Sequence, residues 1–399
     1  MKVAPMSAAP TEPVPGSSPL LAVPRVSCPM TTTQNLYHSK PAQWAVYGLF
    51  FVGIALIPVF VTDGFLLNQF AVYGIYGMLA LSISLCWGFG GILNLGQGIA
   101  FGLAAYGMAM TMQMQSQDPD SNPIPPFMLN NSLEHLPWFW QPFWSTGGGI
   151  LLALVVPTLF YVVFGTLMFR ARVSGPFFAI MSLAMLSAFA TLILDMQPYT
   201  NGANGISPPS PLSVFGTDID PYGKTAYWIV CGGLVAVTVG AKLLTQSKFG
   251  LVVQALRGDP ERVRFLGYNV ALYETCIYAI SGFIAALAGC LWVMLIQYVS
   301  PAQLDTTFSI GMVIWAGIGG RLSLLGAILG AFLIQGGQSY LGDQFLATWL
   351  LMLGAFFIVV VRFLPKGLAG LLEKILGSVA RQPAKHARPE PAGLPAAGE

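Results

Sequence analysis

The sequence predicts an all-α polytopic membrane protein. Apolar residues make up 55% of its 399 positions and charged residues only 9%, and the mean hydropathy is +0.68. A water-soluble protein of this size needs more charged residues on its surface than this chain has. Lipid must therefore surround most of the chain. About ten apolar runs approach the ~20 residues that span ~30 Å of hydrocarbon, which predicts about ten transmembrane helices. The runs cover approximately residues 44–61, 69–87, 91–112, 149–169, 176–194, 226–244, 275–297, 304–320, 323–341 and 345–363.

Composition divides the chain into three regions. Residues 1–40 are rich in Pro, Ser, Thr and Ala and lack the apolar core of a signal peptide, so we predict a disordered cytoplasmic tail. Residues 41–375 form the transmembrane domain, and 376–399 repeat the tail composition. Two outer connections are long, at 113–148 and 197–224. The first is rich in Pro and Trp, which predicts a folded cap at the membrane interface.

The basic residues predict the orientation. Every Lys and Arg except Lys224 falls on one side of this arrangement, while the acidic residues lean to the other side. Basic residues concentrate on the cytoplasmic side of membrane proteins. Both termini and the long connection after residue 242 are therefore predicted to be cytoplasmic.

One charged segment, 248–272, interrupts the apolar runs. A stretch this polar must lie outside the bilayer. Asp259 is a predicted N-cap, Pro260 a predicted first helical residue and Gly267 a predicted helix end. A short capped helix favours a docking element, and the alternative is a solvated loop without a partner. The charged residues concerned are Arg257, Asp259, Glu261, Arg262 and Arg264.

The polar signal within the apolar region is uncharged. The stretch 87–98 is rich in glycine, and non-helical backbone at membrane depth is tolerated only where protein or a water-filled path covers it. The amides of Asn94 and Gln97 are predicted to line a path for a small polar solute. The alternative is that the glycines here, with Gly102, pack helices together. The predicted path residues are Asn94, Gly96, Gln97, Gly98 and Asn204.

A second glycine-rich stretch, 315–327, echoes the first loosely. Two such interruptions in corresponding halves are typical of an inverted-repeat transporter with short broken or re-entrant segments. No nucleotide-binding loop, paired carboxylates or Cys/His ligand spacing occurs, and no basic aromatic patch suggests nucleic acid. We therefore predict neither a metal or cofactor site nor an ATPase site in this chain.

Several of these segments resemble the permease subunits of branched-chain amino acid ABC importers, over residues 69–371. The segments are Trp87–Gly98, Asn204–Ile206, Ala255–Arg262 and Ile314–Arg321. Three features are similar to the urea-importer branch of that family: the Pro- and Trp-rich outer loop, Arg262–Tyr268 and Phe363–Leu371. Leu322 and Ser323 depart from the family, which more often has glycine beside the arginine.

The resemblance implies a multi-pass subunit of a bacterial inner membrane with several partners. These are a second, homologous permease, two cytoplasmic ATPase subunits that bind ATP, and a periplasmic solute-binding protein. The resemblance also implies that segment 248–272 is the coupling helix that seats on an ATPase.

The sequence thus favours an importer permease for urea, with branched-chain amino acids or short amides as the runner-up. Urea is neutral and would suit amides and carbonyls without charge. An ion-driven carrier would need ionisable groups at the midplane, and the apolar runs have them only near their ends, such as Asp195 and Glu274. A membrane scaffold without transport activity remains a second rival.

Overall fold

The computed structural model describes residues 40–117, 124–214 and 216–341, and scattered positions between 348 and 370. The two predicted tails lie outside the described residues except for Lys40 at the start of the first helix. Most of the predicted span at 345–363 also lies outside them.

The described residues form helices with one small hairpin. The helices are α1 Lys40–Phe60, α2 Gly64–Ile83, α3 Gln97–Gln115, α4 Pro126–Asn130, α5 Thr146–Arg170, α6 Pro176–Asp195, α7 Gln197–Thr200, α8 Lys224–Gln246, α9 Lys248–Gly258, α10 Pro260–Phe265, α11 Val270–Ile296, α12 Thr306–Gly319 and α13 Leu324–Leu341. A π-helical segment, Ser84–Phe89, continues α2, and short 3₁₀ turns occupy Gln141–Trp144, Gly202–Asn204 and Pro301–Leu304. Strands β1 Ser213–Val214 and β2 Thr217–Asp218 pair antiparallel.

The number of membrane spans is lower than predicted within these residues. Five helices are long and apolar enough to cross a membrane: α2 with its π-helical continuation, α5, α6, α8 and α11. Helices α12 and α13 would add a sixth as a pair, but they bend by 118° at the break between them. Ten spans are therefore not confirmed.

Length and composition explain why α1 and α3, two of the predicted spans, are not among the five. The apolar part of α1, Trp44–Phe60, is 17 residues long, which is about 25 Å and short of the hydrocarbon thickness. Helix α3 is 19 residues long, but its Gly, Gln and Thr residues make it less apolar than the five spans.

Helix α11 lies at the centre of the fold and packs against α5 and α3. Its Gly282 lies against the ring of Tyr161, where an added Cβ would be 2.4 Å from Cδ1. Its Gly289 lies against α3, where an added Cβ would be 2.2 Å from the Phe101 carbonyl oxygen. Small residues that admit a neighbouring backbone this closely are typical of helix packing in membranes. By contrast, α5, α6 and α8 present exposed apolar side chains on their outer faces.

Both long outer connections contain ordered structure. In the first, α4 and the turn Gln141–Trp144 enclose a separate apolar cluster of Met110, Met114, Ile124, Met128, Trp140 and Phe143. In the second, Ile206 pairs with Val299 through two backbone hydrogen bonds of 2.8 and 3.0 Å. The second connection is thereby fixed to the segment that joins α11 to α12.

Candidate functional site

The chain is non-helical between the π-helical segment and α3, at the glycine-rich stretch that the sequence indicated. Side chains of three other helices bond to this backbone. The Leu95 N–H donates to Ser182 Oγ of α6 at 3.1 Å, and Ser309 Oγ of α12 donates to the Leu95 carbonyl at 2.6 Å. The Tyr161 hydroxyl of α5 donates to the Gly96 carbonyl at 2.9 Å. Protein therefore covers the irregular backbone, as its depth requires.

Asn94 and Gln97 are both fully buried and form one polar network. Asn94 Nδ2 donates to Gln97 Oε1 at 2.5 Å, and Asn94 Oδ1 accepts from the Gly96 N–H at 2.9 Å. Gln97 Nε2 donates at 2.9 Å to Ser82 Oγ of α2 and to the Ser281 carbonyl of α11. Ser281 Oγ in turn donates to the Ser82 carbonyl at 2.9 Å. In this conformation both amides bond to the protein itself.

The glycines of this stretch lie at close contacts. An added Cβ at Gly96 would be 2.6 Å from the Ser182 carbonyl oxygen, and one at Gly102 would be 2.5 Å from Leu304 Cγ. At Gly98 it would be 3.1 Å from Leu186 Cδ1. These distances favour the packing interpretation for the glycines. The role of the two amides in a solute path stays a prediction.

Asn204 lies apart from this network. It is exposed, and its carbonyl accepts from the Tyr298 hydroxyl at 3.2 Å. The neighbouring Gly205 has φ +70° and would place a Cβ 2.1 Å from the Val299 carbonyl oxygen. This geometry explains the Asn-Gly-Ile motif as a backbone junction between two outer segments.

The two glycine-rich stretches meet in the structure. Gly88 lies directly beneath the turn between α12 and α13, where an added Cβ would be 1.6 Å from the Arg321 carbonyl oxygen. The Ser84 hydroxyl donates to that same carbonyl at 2.9 Å. The Arg321 guanidinium lies 5.3 Å from the centre of the Trp87 ring, within cation–π range. The loose sequence echo thus corresponds to a direct contact.

The charged segment contains the helix predicted for it. Helix α10 begins at Pro260, Asp259 caps it by accepting from the Arg262 N–H at 3.2 Å, and Gly267 after it has φ +88°. Buried Leu256, Val263 and Val270 join α9, α10 and the start of α11 into a small apolar cluster. The segment is thus a folded unit rather than a solvated loop.

The charges of α10 are paired within the helix. Arg262 Nε lies 2.7 Å from Asp259 Oδ2, and Arg264 Nη1 lies 2.6 Å from Glu261 Oε1. Exposed ion pairs of this kind are worth little stability. Two apolar residues at the end of α10 are largely exposed, Phe265 at 89% and Leu266 at 75%. Sequence reasoning missed them because it weighted the charges.

Arg257 behaves differently from the other arginines of the segment. Its Nη1 donates to the Gly88 carbonyl at 2.7 Å, which links the charged segment to the end of the π-helical segment. Beside this contact lies a cavity of about 210 Å³ lined in part by Gly91, Phe178, Arg257 and Glu274. The other residues missed by sequence reasoning are Ser82, Tyr161 and Ser281, ordinary helix residues in the sequence that only the fold brings together.

The chain matches known transport proteins over most of its length. Residues 65–361 match the family model described as the permease component of the branched-chain amino acid transport system. A high-affinity branched-chain amino acid permease, LivM of Salmonella typhimurium, is 25% identical over 319 residues, or 74% of this chain and 67% of that protein. LivM of Escherichia coli is 24% identical over 321 residues, with the same shares covered.

Sugar permeases match shorter parts of the chain. The fructose import permease FrcC of Rhizobium meliloti is 35% identical over 128 residues, 30% of this chain and 35% of that protein. No solved structure gives a significant match. Because the family model covers well over half of the sequence, the chain belongs to the branched-chain amino acid transport permease family, the multi-pass inner-membrane component of ABC-type importers.

Proposed function

We propose that this chain is the permease subunit of an ATP-driven importer of urea. The observation that carries the proposal is the chemistry of the buried polar groups. Among the described residues, every buried polar side chain is uncharged: they are Ser, Thr, Asn and Gln. A neutral solute with two NH₂ groups and one carbonyl can exchange hydrogen bonds with such groups without a buried counter-charge.

The proposal requires the Asn94–Gln97 network to open during transport. In this conformation Asn94 bonds to Gln97, the Gly96 N–H and the Tyr161 hydroxyl, and Gln97 bonds to Ser82 and Ser281. A solute would replace these bonds when helices α2, α5 and α11 separate. The exchange is feasible because a typical internal hydrogen bond is worth only about 1 kcal/mol net.

Membership of the family implies ATPase and solute-binding partners. We propose the full complex to contain a second, homologous permease, two ATPase subunits that bind ATP, and a periplasmic binding protein. Both termini and the charged segment then face the cytoplasm, where the ATPases lie.

Branched-chain amino acids are the second candidate. The LivM relatives favour them, and so does the cavity beside α9, where Arg257 and Glu274 offer one positive and one negative group to a zwitterion. Sugars, the solutes in the names of two relatives, share the neutrality of urea.

The test is uptake of radiolabelled urea at low concentration by cells with the partner subunits, with and without this chain. We expect uptake to depend on the chain and on ATPase activity, and to resist excess leucine, acetamide or fructose. The matched control carries the chain with an inactive ATPase, which measures passive entry. Chain-dependent uptake of labelled leucine or fructose without uptake of urea would refute the proposed solute and keep the importer class.

A further inference from the structure

The contact between Arg257 and Gly88 joins two parts of the chain that have different predicted tasks. Arg257 lies in the last turn of α9 in the charged segment, and Gly88 lies near the end of the π-helical segment that continues α2. Carbonyls in the last turn of a helix lack an amide partner, so the guanidinium satisfies a group that would otherwise need water. A charged donor makes this hydrogen bond stronger than a neutral one.

The same end of the π-helical segment is held from a second side. The Arg321 turn lies against Gly88, while Gly91, at φ +75°, lies against Arg257 so closely that an added Cβ would be 2.8 Å from Arg257 Cγ. Residues 84–91 are therefore enclosed between the charged segment and the turn that joins α12 to α13. Displacement of either neighbour would change a close contact to this segment.

This enclosed segment leads directly into the polar network. Ser82 precedes it and accepts from Gln97 Nε2, and Asn94 follows it and donates to the same Gln97 side chain. The chain from 82 to 97 is thus a loop fixed at the network on one side and at Arg257 on the other. π-Helical turns are rare in proteins and are found frequently at functional sites.

We propose that Arg257 is the positioning residue that transmits movement of the charged segment to the Asn94–Gln97 network, instead of binding an ATPase itself. The inference rests on the proposed importer function but not on the identity of the solute. It separates the arginines of the segment into two groups. Arg257 acts inward through Gly88, whereas α10 presents the outer surface to the partner.

The experiment compares Arg257→Ala, Arg257→Lys and Arg170→Ala in the purified complex with its ATPase subunits. Arg170 is the control because it is an exposed arginine in the last turn of α5 that takes no part in the hydrogen bond between Arg257 and Gly88. We expect Arg257→Ala to retain the ATPase subunits and solute-independent ATP hydrolysis, and to transport roughly tenfold less solute per ATP. Lysine can still donate to a carbonyl, so Arg257→Lys should recover part of the loss.

A second readout needs no solute. In the wild type, hydrogen exchange of the amides at 84–96 should change when nucleotide binds the ATPases, and in Arg257→Ala this response should disappear. Gly91→Ala, which disturbs the same contact from the other side, should have the same effect, and Arg170→Ala should behave as wild type.

Three results would overturn the inference. Loss of the ATPase subunits from Arg257→Ala would make the residue a docking contact. If nucleotide changes the hydrogen exchange of residues 84–96 as much in Arg257→Ala as in the wild type, the contact transmits no movement. Equal losses of abundance, hydrolysis and transport would indicate a general folding role. If the wild type shows the nucleotide response but imports no urea, only the proposed solute fails.

Discussion

The exposed end of α10 makes a quantitative prediction about partner binding. Phe265 and Leu266 are 89% and 75% exposed, and burying one such side chain fully contributes about 1.5–3 kcal/mol. If an ATPase subunit buries both, their replacement by serine should cost about 3–6 kcal/mol, which is between about a hundredfold and about twenty-thousandfold in affinity. The paired arginines of α10 should contribute far less, because exposed ion pairs are worth about 0–1 kcal/mol.

The assay is a titration of the purified ATPase subunit onto the permease in lipid nanodiscs. The double variant Phe265→Ser with Leu266→Ser should raise Kd by at least about a hundredfold without loss of permease abundance, because neither side chain belongs to the buried core. Leu129→Ser is the control, since Leu129 is 49% exposed but lies in α4 on the predicted opposite side. A Kd within about threefold of the wild type would refute the reasoning, because it corresponds to less than 1 kcal/mol.

Three further predictions concern the cap, the network and the orientation. The double variant Asp259→Ala with Glu261→Ala removes the N-cap and both ion pairs of α10, which costs about 1–2 kcal/mol of local stability. Membrane insertion should persist, while pull-down of the ATPase and solute-stimulated ATP hydrolysis should decline. Wild-type coupling in this variant would place the ATPase contact elsewhere. Asn94→Leu and Gln97→Leu each leave buried hydrogen-bond partners unbonded, which costs about 1–3 kcal/mol of stability. Solute uptake should fall further than the abundance of the protein in the membrane. Uptake that falls only in proportion to abundance would assign the two amides to packing. An impermeant thiol reagent added to intact cells should label Ser132→Cys and not Asp259→Cys, and the reverse pattern would invert the topology.

The charged segment shows what local sequence chemistry can predict. The predicted boundaries of α10 come from three residues whose own conformational preferences define them: Asp259 as the cap, Pro260 in the first turn and Gly267 after the end. The structure has α10 between these residues. No long-range contact is needed for that inference. The direction of each charged side chain does depend on such contacts, and the inward hydrogen bond from Arg257 to the Gly88 carbonyl could not be read from the local sequence.

The spans show where pattern reasoning loses information. Apolar runs at 304–320 and 323–341 predict two spans, yet helices α12 and α13 are bent by 118° at the short break around Arg321. Each arm is short, about 21 and 27 Å long at 1.5 Å per residue, and the bend carries the second arm away from the axis of the first. Hydropathy measures how apolar a run is but contains no direction, so it counts both arms as spans.

The glycine-rich stretch 87–98 had two open explanations, a solute path or close packing, and the contacts test the second for the glycines. Gly88 and Gly96 lie against named carbonyl oxygens of other segments, so small size is what these positions require. Packing alone would be satisfied by apolar neighbours, yet the same break buries two amides and three hydroxyl groups in one network. Buried polar groups cost free energy unless fully bonded, and an apolar replacement of similar shape is often no less stable. The glycines are accounted for by close packing. The amides also satisfy buried groups, because Asn94 accepts from the Gly96 N–H and Gln97 donates to Ser82 and Ser281, so a role of either amide in a solute path stays a prediction.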